Sequence, residues 1–256
     1  MSKRIAVLVF PGTNSEDETT RLLRDCGGDA HLVHWSRAQT LPSYDAYVLP
    51  GGFAYEDRIR AGAIAAHDAA MDHVIAAAQE GKLVLGICNG AQILLEAGLV
   101  PGTGEIRRPT AAFTKNAPAP HFVCAHVHVK LRVDPTRSAM TAALPRDAVI
   151  PAWTANGEGR LAASAEHLHE LEAGSHVAFV YAHEDGSVDD SASPNQSALG
   201  VAGLVNREGN VLALMPHPER DAWTFNHPDR RRGDAMLATS GGAVFFRSFV
   251  EALQRT

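Results

Sequence analysis

Disulfides, membrane spans and a basic surface are all missing from this chain. It has three cysteines in 256 residues, Cys26, Cys88 and Cys124. That odd, low number excludes a disulfide framework. No two cysteines stand at zinc-ligand spacing, and the thirteen histidines form no metal-binding pattern, so no metal is expected. No apolar run approaches the length of a spanning helix, so no membrane contact is expected. Formal net charge is −6, which offers no footprint for nucleic acid. Residues Met1 to Arg4 lead straight into the short apolar run Ile5 to Phe10. A secretory h-region is longer and ends in a small-residue cleavage site, so the expected location is cytoplasmic. The G-x-x-x-x-G-K-[ST] loop is absent, and with it any expectation of ATP chemistry in this chain.

What is present is globular: 45% hydrophobic and 20% charged residues, enough for a sizeable core. Ile5 to Phe10 is apolar throughout, the pattern of a strand buried on both faces. Ser15 and Glu18 stand at capping-box spacing ahead of a helix to about Asp25, which Gly27-Gly28 stops. Strands are expected at Ala30 to His34, Tyr44 to Leu49 and Leu83 to Ile87. Helices are expected from Gly62 to Gln79 and from Ala91 to Ala97. This alternation predicts an α/β fold: an open, mostly parallel sheet with helices on both faces. Later, Phe122 to Val133 and Ala178 to Tyr181 read as strands. Val201 to Val205 and Val211 to Met215 flank Asn206 to Asn210 as a hairpin. Phe245 to Leu253 reads as a closing helix, and the serine-rich, acidic stretch from Glu184 to Ser197 as a surface loop. No repeat or linker divides the chain, so residues 1–256 are expected to form one domain.

The chemistry concentrates in three places. Gly86-Ile87-Cys88-Asn89-Gly90 is G-x-C-x-G between a predicted strand and a predicted helix, the cysteine counterpart of the G-x-S-x-G elbow. Such a turn lifts the sulfur above the carboxyl edge of the sheet and sets it at a helix N-terminus, which favours thiolate. The bland reading of a lone cysteine is a buried small hydrophobe, and Cys26 and Cys124 are read so. A thiolate nucleophile needs a proton carrier, and Met215-Pro216-His217-Pro218-Glu219-Arg220 offers one. Glu219, two residues after His217, can accept from the imidazole and fix its tautomer. Pro50-Gly51-Gly52-Phe53 ends a predicted strand. Its backbone N–H groups at Gly51 and Gly52, with that of Asn89, suit an oxyanion. The three pieces together make an acyl-transfer site. Arg230-Arg231-Arg232 reads first as a solvated surface, and second as a docking rim for an acidic partner.

These pieces resemble the class I, triad-type glutamine amidotransferases, whose sheet is flavodoxin-like. Among them the chain is most similar to the glutaminase subunits of phosphoribosylformylglycinamidine synthase. The stretches that carry the likeness are Phe10 to Asn14, Pro50 to Asp57, Arg60 to Ile64, Gly86 to Gln92, Asn156 to Gly159, Ser193 to Ser197, and Ala202 to Asn206 running into Met215 to Arg220. The resemblance implies that Cys88, His217 and Glu219 form a catalytic triad that hydrolyses glutamine through a glutamyl thioester. It implies that Gly52 and Asn89 stabilise the oxyanion and that Gln92 helps to hold glutamine. It further implies no cofactor in this chain, a separate synthetase subunit that holds ATP and magnesium, and a small bridging subunit. A sister amidotransferase, a non-catalytic regulatory module that kept the fold, and a cysteine hydrolase of the DJ-1 type are the alternative readings. The last has no use for Pro-His-Pro-Glu.

Overall fold

The computed structural model describes residues 2–231 and 234–256. Of the arginine run, Arg232 lies outside the described residues. Strand β1 (Arg4–Val9) leads through a Pro-Gly loop into helix α1 (Glu16–Asp25). The expected capping box does not form there. Ser15 makes no side-chain cap bond, and its N–H, with that of Asn14, donates to Gly51 O at 3.2 and 3.1 Å. Glu18 turns instead to Arg220, 3.4 Å away. The first-turn acids Glu16, Asp17 and Glu18 still complement the helix dipole. Strand β2 (Asp29–His34) and strand β3 (Ala46–Leu49) follow.

Helix α2 (Ala69–Gln79) begins later than the apolar pattern suggested. Asp68 caps it by accepting from Ala70 N–H at 2.8 Å, and residues Ala65–His67 form a separate tight turn. Strand β4 (Leu83–Ile87) and helix α3 (Asn89–Glu96) make the predicted strand–turn–helix. The second half holds β5 (Ala111–Thr114), β6 (Val123–Leu131), β7 (Val149–Asn156), β8 (Arg160–Ala163), α4 (Ala165–Ala173) and β9 (Val177–Ala182). It closes with the hairpin β10 (Val201–Val205) and β11 (Val211–Leu214), and with α5 (Ala243–Arg255).

Among the described residues, nine strands form one sheet in the order β2-β1-β3-β4-β11-β10-β9-β6-β7, and β5 pairs separately with β8. From β2 to β11 the neighbours are parallel, and from β11 to β7 they are antiparallel. The chain passes from β1 to β2 in one direction along the sheet and from β3 to β4 in the other. Right-handed crossovers therefore place α1 and α2 on opposite faces. The reversal of direction lies between β1 and β3, and ligands in such sheets bind outside the carboxyl ends of the strands. Strands β3, β4, β9, β10 and β11 are buried along their whole length. Phe245, Phe246 and Phe249 carry α5 into this core, with Phe245 edge-on to Phe179. Burial of each such ring is worth roughly 1.5–3 kcal/mol. Among the described residues, no helix is long and apolar enough to cross a membrane.

Candidate active site

Cys88 stands where β4 becomes α3, with φ 52° and ψ −107°. A non-glycine residue held there costs about 1–3 kcal/mol, so its surroundings must impose the conformation. They do so by close approach. A Cβ at Gly90 would lie 1.9 Å from Leu49 O, and one at Gly86 would lie 2.5 Å from Gly90 O. Only glycine lets α3 sit this tightly on β3 and β4. Cys88 N–H donates to Leu214 O at 2.8 Å, which ties the elbow to β11. The side chain is buried, and its sulfur lies 3.9 Å from Ala155 O.

Leu214 is level with Ile87 in the parallel ladder, so His217 leaves the same sheet edge as Cys88 from the next strand. His217 Nδ1 is 2.5 Å from Glu219 Oε1, and both side chains are sealed from solvent at 1% and 0% exposure. Pro218 opens the short turn Pro218–Asp221 that brings Glu219 under the ring. Burial opposes charge on the imidazole and is the largest single influence. The charges of Glu219 and Cys88, with hydrogen bonds to both, outweigh it and raise the His217 pKa to about 9. An imidazolium and the N-terminus of α3 thus both place positive charge beside the sulfur.

The Pro50–Gly52 ribbon runs alongside. Gly51 O accepts from Asn14 and Ser15, and Gly12 O accepts from Phe53 N–H at 2.8 Å. A Cβ at Gly51 would meet His217 Cε1 at 2.4 Å, so glycine is required for the ring to lie where it does. Gly52 N–H has no acceptor among the described residues. Asn89 N–H, first in α3, has none within the helix. Both donors are available for a developing oxyanion.

The Asn89 side chain holds this ribbon to the elbow. Its Oδ1 accepts from Ala54 N–H at 2.9 Å, and its Nδ2 donates to Asp57 Oδ1 at 3.0 Å and to Gln92 Oε1 at 2.9 Å. Gln92 Nε2 in turn donates to Glu158 O at 2.6 Å. The structure thus places Gln92 beside the nucleophile with both ends of its amide engaged by the protein. Asp57 sits close to Glu158; burial first, and then the Glu158 charge, push its carboxyl up to about 6 against the Asn89 hydrogen bond.

Sequence reasoning gave no role to Asp57 or Glu158, although both lie in stretches that carried the resemblance. It also missed β7. Trp153 exchanges backbone hydrogen bonds with His217 at 2.8 and 3.1 Å, and Ala155 turns its carbonyl to Cys88. The buried positions of β7 are Ile150, Ala152, Thr154 and Asn156, and Val149 and Trp153 are half-exposed, so no apolar alternation marked the strand. A cavity of about 300 Å³ lined by Cys124, Trp153, Ala155, Arg220 and Asn226 abuts this wall. Cys124 is exposed, against the expectation that it is buried, because it lies near the start of β6 at this open cavity. Cys26 is half-buried, and burial pushes its thiol up to about 11.

The model of the CobB/CobQ-like glutamine amidotransferase domain matches residues 2–251. The phosphoribosylformylglycinamidine synthase subunit PurQ of Pyrococcus horikoshii is 38% identical over 98% of this chain and 99% of its own. The same subunit of Salinibacter ruber is 40% identical over 98% of this chain and 97% of its own. The solved structure of PurLQS from Thermotoga maritima contains a chain 28% identical. It superposes with a TM-score of 0.76 and covers 98% of this chain and 99% of that one. With a cysteine elbow, a buried His-Glu couple and matching sequence along nearly its whole length, this chain belongs to the CobB/CobQ-like glutamine amidotransferases, in the branch of the PurQ subunits.

Proposed function

We propose that this chain is the glutaminase subunit of a phosphoribosylformylglycinamidine synthase. The observation that carries the reading is the strained Cys88 elbow facing the buried His217–Glu219 pair. The Cys88 sulfur attacks the side-chain amide carbon of glutamine, and Gly52 and Asn89 N–H groups receive the oxyanion. His217 gives its proton to the leaving nitrogen, so ammonia departs and a glutamyl thioester remains. His217, now neutral, takes a proton from water, whose oxygen attacks the thioester. Glutamate leaves, and the thiolate–imidazolium pair is restored. Glu219 holds the ring and offsets its charge throughout. Gln92 holds both the 89–92 turn and the glutamine side of the pocket.

The ammonia passes to a separate synthetase subunit, which holds ATP and magnesium. There it converts formylglycinamide ribonucleotide to formylglycinamidine ribonucleotide in purine synthesis, with a small bridging subunit completing the assembly. The similarity to PurQ subunits, and to a chain within PurLQS, supports this choice of partner. The test is Cys88→Ala in the reconstituted complex, assayed with glutamine and with ammonia. Glutamine-dependent synthesis is expected to fall by at least ~10⁴-fold, while ammonia-dependent synthesis stays within a factor of about two. Retained glutamine-dependent activity would remove Cys88 from the reaction.

A further inference from the structure

Two side chains six residues apart meet a third from 95 residues earlier beside the catalytic turn. His126 on β6, Asp221 at the end of the Glu219 turn and His227 each present one ligand-type atom. These atoms all lie within 4.8 Å of one another. His126 Nε2 is 2.6 Å from Asp221 Oδ2. The His126 ring stands edge-on to His227, to His128 and to Trp153, with centroids 5.5, 5.2 and 5.3 Å away. Asp221 is fully buried, and the two histidine ligands are half-buried.

We propose that His126, Asp221 and His227 bind a divalent transition-metal ion of the zinc class, with water in the fourth position. Two imidazoles and a carboxylate suit zinc and its neighbours rather than magnesium or calcium, which take oxygen ligands. Zinc bonds of about 2.0–2.2 Å set tetrahedral ligand atoms roughly 3.3 Å apart. The spacing here runs from 2.6 Å to no more than 4.8 Å, so small side-chain rotations seat the ion. The His126–Asp221 hydrogen bond gives way as the ion takes its place. Asp221 Oδ1 accepts from Ser240 Oγ at 2.6 Å, which fixes the carboxylate with its other oxygen toward His126. Asp229 N–H donates to His227 Nδ1 at 3.1 Å. Whichever ring nitrogen ligates, that exposed contact gives way to water.

The ion is a clasp and takes no part in the chemistry. It joins β6, the turn that carries Glu219, and the excursion from Ala222 to Gly242 that precedes α5. Among the described residues, Ser240 Oγ to Asp221 Oδ1, Ser240 N–H to Ala222 O and Gly242 N–H to Asp221 O already tie the last two together. No spacing motif announced the site, because His126 lies 95 residues before Asp221 and Asp221 to His227 is not a familiar ligand spacing.

The test uses the full chain, stripped of metal and titrated with zinc chloride alone. Melting temperature and bound metal per chain are read together. One zinc ion per chain and a rise in melting temperature are expected. His227→Ala is expected to weaken zinc affinity at least ten-fold and to remove the rise. His126→Gln is expected to do the same. Cys88→Ala and His169→Ala, which delete the reactive thiol and an exposed histidine elsewhere, are expected to keep both. A chain that takes up no zinc overturns the proposal. So does a zinc effect that survives His227→Ala, or one that vanishes in Cys88→Ala, since the ion then sits on surface histidines or the catalytic thiol.

Discussion

The two halves of the sheet contribute in different ways. In the parallel half, β3, β4 and β11 end side by side at one edge. From that edge come the Gly51–Gly52 ribbon, Cys88 and His217. Parallel topology delivers this convergence, since every strand presents its carboxyl end on the same side. The antiparallel half supplies no member of the triad. It supplies a wall. Strand β7 pairs with the His217 backbone, Ala155 faces the sulfur, and Glu158 just beyond takes the Gln92 amide. Reactive groups thus come from strand ends, and their alignment comes from an edge strand that crosses them.

The largest effects should come from the parallel half. His217→Ala is expected to lower glutaminase turnover in the assembled complex by about 10⁴-fold or more. Glu219→Gln should cost one to two orders of magnitude less, because it orients and polarises without moving the proton itself. The pH profile sharpens the assignment. With the His217 pKa raised to about 9, the imidazolium is present below that pH and is lost as pH rises through it. Turnover should therefore fall on the alkaline side near pH 9. Removing the Glu219 charge removes the strongest influence that raises this pKa, so the alkaline limb should move to lower pH. A limb that stays in place in Glu219→Gln would show that Glu219 does not govern the imidazole.

A smaller effect tests the wall. The Trp153 N–H points away from β6 and donates to His217 O. Trp153→Pro deletes that donor on an edge strand that already accepts Pro151. Turnover should drop roughly 10–100-fold, the scale expected when a catalytic group is slightly misplaced. Trp153→Leu keeps the donor and should stay much closer to the parent rate. Equal rates in the two variants would mean that the wall does not align His217.

What the sequence made legible follows the same division. Buried parallel strands read as continuous apolar runs, and Leu83–Ile87 is found where it was expected. The elbow and the Pro-His-Pro-Glu turn are local, so their geometry is written within a few residues. The antiparallel half is harder to read. Strand β7 is half-buried and interrupted by Pro151, and β5 and β8 are four residues each and rich in alanine. Helix α4 buries only Leu171, so it shows no apolar stripe. The Ser15–Glu18 pattern misled because a tertiary partner, Gly51, took over the cap. Asp57 with Glu158, and His126 with Asp221 and His227, are meetings of distant segments that no local pattern encodes.

The smallest expected effect lies on the loop that leaves the parallel edge after the Gly51–Gly52 ribbon. Tyr55, Glu56, Asp57 and Ile59 all hold positive φ, from 51° to 74°. Two of these have tertiary reasons: Tyr55 bonds Asp68 at 2.6 Å and Asp57 takes the Asn89 amide, while Glu56 pairs only with its exposed neighbour Arg58. Ile59 has no such reason. It is β-branched, sits at φ 74° and is 86% exposed, so its side chain gains almost nothing from burial. A left-handed backbone costs an L-residue about 1–2 kcal/mol. Glycine at the same place avoids that cost but loses about 0.5–1 kcal/mol more in chain entropy on folding. Ile59→Gly should therefore stabilise the isolated chain by roughly 0.5–1 kcal/mol, a rise of about 1–4 °C in melting temperature. Glutaminase turnover should change little, since the Ile59 side chain is exposed to solvent. A lower melting temperature would mean that neighbours offset the positive φ, and that the loop is shaped by packing as firmly as the elbow is.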